Sequence, residues 1–98
     1  MAIARDVRVE QIVEDYLQAE ERKYTRVRDI FNALTWRIAR EPEVGEPVTH
    51  LTPTRYLVKS IPFRFPVPIH LKLLYRYDDE QVVVEFAQIE TLSDVDNM

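Results

Sequence analysis

The 98-residue chain contains no cysteine, which excludes disulfides, thiol catalysis and thiolate metal sites. It has one glycine, Gly45, so no glycine-rich phosphate loop can form. No apolar run reaches the roughly 18 residues of a membrane span. Met1 to Arg8 lacks the apolar stretch of a secretory signal, and a cytoplasmic location is expected. The two histidines, His50 and His70, stand 20 positions apart. A metal site needs convergent ligands, so no metal or other cofactor is expected.

Charge of one sign is missing from two stretches. Between Pro47 and Tyr77 there is no carboxylate, but five cations: Arg55, Lys59, Arg64, Lys72 and Arg76. From Asp78 to Met98 there is no cation, but seven carboxylates: Asp78, Asp79, Glu80, Glu85, Glu90, Asp94 and Asp96. The net charge of −4 argues against a generic nucleic-acid binder. A hydrophobic fraction of 46% beside 31% charged residues describes a globular chain, long enough for one domain.

Residues 1–41 hold no proline or glycine, and their apolar positions follow helical spacing. Val9, Ile12, Val13, Tyr16 and Leu17 make one stripe, with Asp6 as a candidate cap. Val27, Ile30, Phe31, Leu34 and Ile38 make a second, while Trp36 falls off its centre. Two arrangements fit. One is a helical hairpin that turns near Glu21 to Thr25, with Thr25 capping the second helix. The other is a single long helix, whose exposed stripe would require a second copy and make a homodimer. Pro42 and Gly45 are expected to end the helical part.

The rest reads as strands. Arg55 to Ser60 alternates in part. Ile61 to Pro68, with three prolines, reads as a loop or sheet edge. From Ile69 to Tyr77, Ile69, Leu71, Leu73 and Tyr75 fall on one side and His70, Lys72, Leu74 and Arg76 on the other. Asp78-Asp79-Glu80 forms a turn, and Val82 to Ile89 is the best strand by composition. The expected class is α+β: helices packed on a small antiparallel sheet. Residues 1–90 form one domain, and 91–98 an acidic, disordered tail.

Residues 7–90 resemble the RelE/ParE superfamily, the toxin components of bacterial type II toxin–antitoxin, or plasmid-stabilisation, systems. The run Ala33-Leu34-Thr35-Trp36-Arg37-Ile38-Ala39-Arg40-Glu41-Pro42-Glu43-Val44-Gly45 is similar to the end of the family's second helix and its exit. Arg55-Tyr56-Leu57-Val58-Lys59 and Leu73-Leu74-Tyr75-Arg76-Tyr77-Asp78-Asp79-Glu80-Gln81-Val82-Val83-Val84 are similar to its strands. The resemblance implies an opening strand, which only Ala2 to Val9 can supply. It implies a cognate antitoxin as partner, and DNA gyrase or mRNA on the ribosome as target. The chain departs from the ribonuclease branch: it is acidic, and no Tyr, His, Lys or Arg follows Ile89. The gyrase-directed, ParE-like branch needs no nuclease residues and fits better.

The candidate catalytic residues are Arg64, Lys72, Arg76 and Tyr75, because phosphate cleavage needs cations on the developing charge and a group that moves a proton. The candidate partner-binding residues are Arg55, Lys59, Lys72 and Arg76, a basic surface suited to an acidic or amphipathic segment. The same cations also fit the solvated outer face of a half-buried sheet. A rival to partner docking is that the chain's own acidic tail folds back and screens that surface. Asp78, Asp79 and Glu80 read as turn residues, Glu10, Glu14, Glu20 and Glu21 as solvated helix surface, and Trp36, Tyr24 and Tyr16 as packing residues.

Overall fold

A computed structural model describes residues 4–64 and 68–91, the side chains of Phe63 and Arg64 excepted. The chain runs β1 (Asp6–Val9), α1 (Gln11–Glu20), α2 (Val27–Arg40), a 3₁₀ turn (Pro42–Val44), β2 (Glu46–Val48), β3 (Arg55–Lys59), β4 (Phe63–Arg64), β5 (Pro68–Tyr77) and β6 (Gln81–Thr91). The α+β class is as expected, and α1 and α2 precede strands β2 to β6, but a sheet strand, β1, comes before both helices. The sheet differs by being mixed. Its order is β1-β6-β5-β3-β2, with β4 also on β5, and β1 lies parallel to β6 while the other pairs are antiparallel.

The helical part is a hairpin, not one long helix. The Glu20 carbonyl accepts N–H bonds from Lys23 and Tyr24, and the Tyr24 carbonyl accepts one from Val27. The described residues include none at positive φ, which explains a tight turn without glycine. The Arg28 guanidinium then ties the two helices, donating to Glu21 at 2.7 Å and Glu14 at 3.1 Å. Those two glutamates are therefore half-buried ion-pair partners rather than free surface. Neither expected cap is used. Asp6 lies in β1, and α2 begins after Arg26 without a side-chain cap.

The α2 stripe is buried as its spacing predicts: Val27, Phe31, Leu34 and Ile38 join Val13 and Leu17 of α1 against one face of the sheet. The condition for a dimer through one long helix is thus not met. Two apolar positions deviate. Ile12 is 64% exposed, and Trp36 is 62% exposed with the Arg40 guanidinium 4.0 Å from its ring centroid. Trp36 is not core. Tyr16 and Tyr24 do pack against the core. The Tyr16 hydroxyl also accepts the Ile89 N–H at 2.8 Å, covering the edge of β6 beyond the end of β1.

Helix α2 stops at Arg40 because the residue before Pro42 is pushed out of helical geometry. Gly45 does not act as a left-handed cap; its backbone is extended, at φ −74° and ψ 155°. It is glycine for want of space. A Cβ there would collide with the Tyr75 hydroxyl and press on Tyr56. The Tyr75 hydroxyl donates to the Pro42 carbonyl at 2.5 Å and accepts the Gly45 N–H at 3.0 Å. This pair of bonds clips the exit of α2 to the middle of the sheet.

Strand β6 extends to Thr91, one residue past the expected domain end. The acidic tail beyond it, with its expected disorder, lies outside the described residues, as does the start of the expected opening strand at residues 2 and 3. Among the described residues no helix is long and apolar enough to cross a membrane.

Candidate functional site

The helices cover one face of the sheet, and register decides what stands on the other. Lys59 lies opposite Lys72, Leu57 opposite Leu74, and His70 opposite Glu90. Between Leu74 and Tyr75 the register slips: Leu74 faces Phe86, while Tyr75 faces Val84. Glu85 is therefore an extra residue in β6, a bulge. Val84 and Ala87 both point into the core, and the bulge places Glu85 and Phe86 side by side on the outer face.

That bulge positions a carboxylate between two strands. Glu85 accepts from Arg55 of β3 at 2.6 Å and from Arg76 of β5 at 3.1 Å. Desolvation pushes its carboxyl up, but the two guanidiniums outweigh it and hold Glu85 below the usual range. Four residues on, Glu90 collects a second cluster. His70 Nε2 lies 2.9 Å away, Lys72 Nζ 3.1 Å and Lys59 Nζ 3.8 Å. The bonds from His70 and Lys72 bring the Glu90 carboxyl down to about 2. The four expected partner-binding cations do share one face, and each is paired with a glutamate from β6. Screening is thus supplied by the strand itself. The expected screening by the tail concerns residues outside those described.

The expected catalytic set is divided. Lys72 and Arg76 stand on the outer face, held by Glu90 and Glu85. Tyr75 is on the opposite face, 0% exposed and bonded at both ends of its hydroxyl. Desolvation pushes that hydroxyl up to about 12. Tyr56 and Tyr77 also lie on the inner side, packed with Tyr75 at ring-centroid distances of 5.8 Å for Tyr56–Tyr75 and 5.0 Å for Tyr56–Tyr77. Arg64 sits in β4 beside Pro68, described by its backbone alone. The structure therefore separates the tyrosines from the cations. His70 also stands on the cationic face, and its Nε2 is engaged with Glu90. Asp78 is a turn residue as expected, its carboxylate accepting the N–H groups of Glu80 and Gln81.

Sequence reasoning passed over Glu85 and Glu90, which counted only as part of an acidic stretch. The hairpin register contained the signal for Glu90: pairing Tyr77 with Val82 across the turn brings position 90 near position 70. The bulge that redirects Glu85 has no comparable mark in the sequence.

No family model, no curated protein and no solved structure matches the chain.

Proposed function

We propose that this chain is a toxin-family protein of the RelE/ParE type, closer to the ParE-like branch, which acts by protein contact and is neutralised by a cognate antitoxin. Three features support this reading. The order of helical hairpin followed by antiparallel strands is the one the resemblance implies. The opening strand it requires is supplied by Asp6–Val9, paired with β6. The observation that carries the choice of branch is the segregation of the sheet. Arg55, Lys59, Lys72 and Arg76 are on one face in ion pairs, and Tyr56, Tyr75 and Tyr77 are on the other. A contact surface needs no free proton-transfer group, whereas phosphate cleavage does, and His70, Glu85 and Glu90 on this face are all engaged in pairs.

The alternative is an endoribonuclease that binds mRNA on the ribosome through Lys72 and Arg76, with Arg64 as a third cation. The density of cations around Glu85 and Glu90 favours it. A third reading, a non-toxic interaction domain, keeps the contact surface alone. Inducible expression in a bacterial host separates the three, with growth, global translation and plasmid supercoiling followed together. Arrest with altered supercoiling is the expected result, and gyrase is then the target. Arrest with falling translation supports the ribonuclease. Normal growth at good soluble expression leaves the interaction domain.

A further inference from the structure

The outer face of the sheet carries an apolar row that no described element covers. Leu57, Leu74 and Phe86 lie in direct register across β3, β5 and β6. Leu57 and Leu74 are half-buried, and Phe86 is 48% exposed. Past Phe86 the row runs into an apolar groove of about 140 Å³ between α1 and β6, where exposed Ile12 meets Phe86 and Ala87. At its other end stands Glu46 of β2, opposite Leu57.

We propose that this row is the seat of an acidic amphipathic helix from a partner polypeptide. The proposal rests on the protein-contact reading above and names the chemistry of the contact. The row runs across the strands, so an edge-added strand does not fit along it. Neighbouring strands lie about 4.8 Å apart, close to the helical pitch of about 5.4 Å. Apolar residues at i, i+3 or i+4, and i+7 of a helix laid over the row would meet Leu57, Leu74 and Phe86 in turn.

Charge decides what flanks them. Two residues along the strands on one side lie Arg55 and Arg76, which share Glu85. Two residues along on the other lie Lys59 and Lys72, which with His70 share Glu90. That offset is about 6.6 Å on each side, within reach of the flanks of a helix about 10 Å wide. Each cluster sets two permanent cations against one carboxylate and so keeps an excess of positive charge. A partner helix with carboxylates on both flanks completes both clusters, and opposite charge orients its approach. A second copy of this chain, laid face to face, would set one positive cluster against another.

The test is a titration of the isotope-labelled full chain, followed by amide NMR. One probe is a synthetic 18-residue helix-forming peptide with a leucine stripe flanked by glutamates. The other has lysine in place of each glutamate. The acidic peptide is expected to bind at least about tenfold tighter, to weaken with salt, and to shift amides of β3, β5, β6 and the first turn of α1. Two variants keep the outcome independent of folding. Leu57→Gln with Leu74→Gln removes the apolar row, and Lys59→Gln with Lys72→Gln removes charge without touching it. Both are expected to lower affinity about tenfold or more, with unchanged circular dichroism. No binding, equal binding of the two peptides, or shifts confined to other surfaces would overturn the proposal. A chain that arrests growth but ignores the acidic peptide keeps the functional reading and loses this one. An inert chain that takes the peptide on this row does the reverse.

Discussion

Replacing Tyr75 by phenylalanine removes one oxygen atom and leaves the ring in place. The loss falls on two buried groups that bond to it, the Gly45 N–H and the Pro42 carbonyl. Each stranded group costs about 1–3 kcal/mol, so the variant should lose about 2–6 kcal/mol. That is a large share of the roughly 5–15 kcal/mol that holds a small domain folded. Urea unfolding of a chain this size has a slope near 1 kcal/mol per molar, and the midpoint should fall by about 2 M or more. The same substitution has a pH signature. Burial raises the Tyr75 hydroxyl to about 12, against an ordinary value of 10.0. The folded state therefore keeps a proton that the unfolded chain releases. Its contribution to stability is complete below pH 10 and disappears as pH rises towards 12. Tyr75→Phe should flatten that decline without abolishing it, because the Tyr16 and Tyr77 hydroxyls are raised as well. A loss under about 0.5 kcal/mol, within the range of ordinary surface substitutions, would refute the clip. So would an unchanged alkaline slope.

Gly45→Ala should cost about 1–3 kcal/mol by overpacking, and less in a Tyr75→Phe background, where the colliding hydroxyl is gone; additive losses in urea would contradict that geometry. The Glu90 carboxyl is depressed to about 2 from 4.5, so its stabilising share is present above pH 4.5 and lost as pH falls towards 2. Melting temperature measured across that window should decline less steeply in Glu90→Gln, and the acidic peptide should bind the variant more tightly. Arg28→Ala breaks both ties between α1 and α2 at a site about one-third exposed, and a loss of about 0.5–1 kcal/mol by urea unfolding is expected. No loss at all would show that the hairpin turn alone sets the helix pair.

The elements that repeat a pattern were legible in the sequence. The stripe Val27–Phe31–Leu34–Ile38 marks the buried side of α2, and the alternation from Ile69 to Tyr77 marks both faces of β5. Long-range pairings were harder to read. Strand β1 is four residues whose partner lies more than 70 positions away, and its parallel pairing has no local mark. Gly45 looked like a helix stop because glycine usually serves there. Its actual role depends on a tyrosine 30 positions on. Trp36 looked like packing because tryptophan is large and apolar, but it sits off the stripe and stacks with Arg40. For the candidate site, parity correctly put Lys72, Arg76 and His70 on one face and Tyr75 on the other. It missed the glutamates that pair with them, because a charge count along the chain separates residues that a hairpin brings together.

The central claim is that the cationic face works by contact and not by cleavage. Purified chain incubated with translating ribosomes and end-labelled mRNA, and in parallel with DNA gyrase and relaxed plasmid, tests it directly. The account predicts intact mRNA and reduced supercoiling. Cleaved mRNA, with cleavage lost in a folded Lys72→Ala, Arg76→Ala variant, would contradict it.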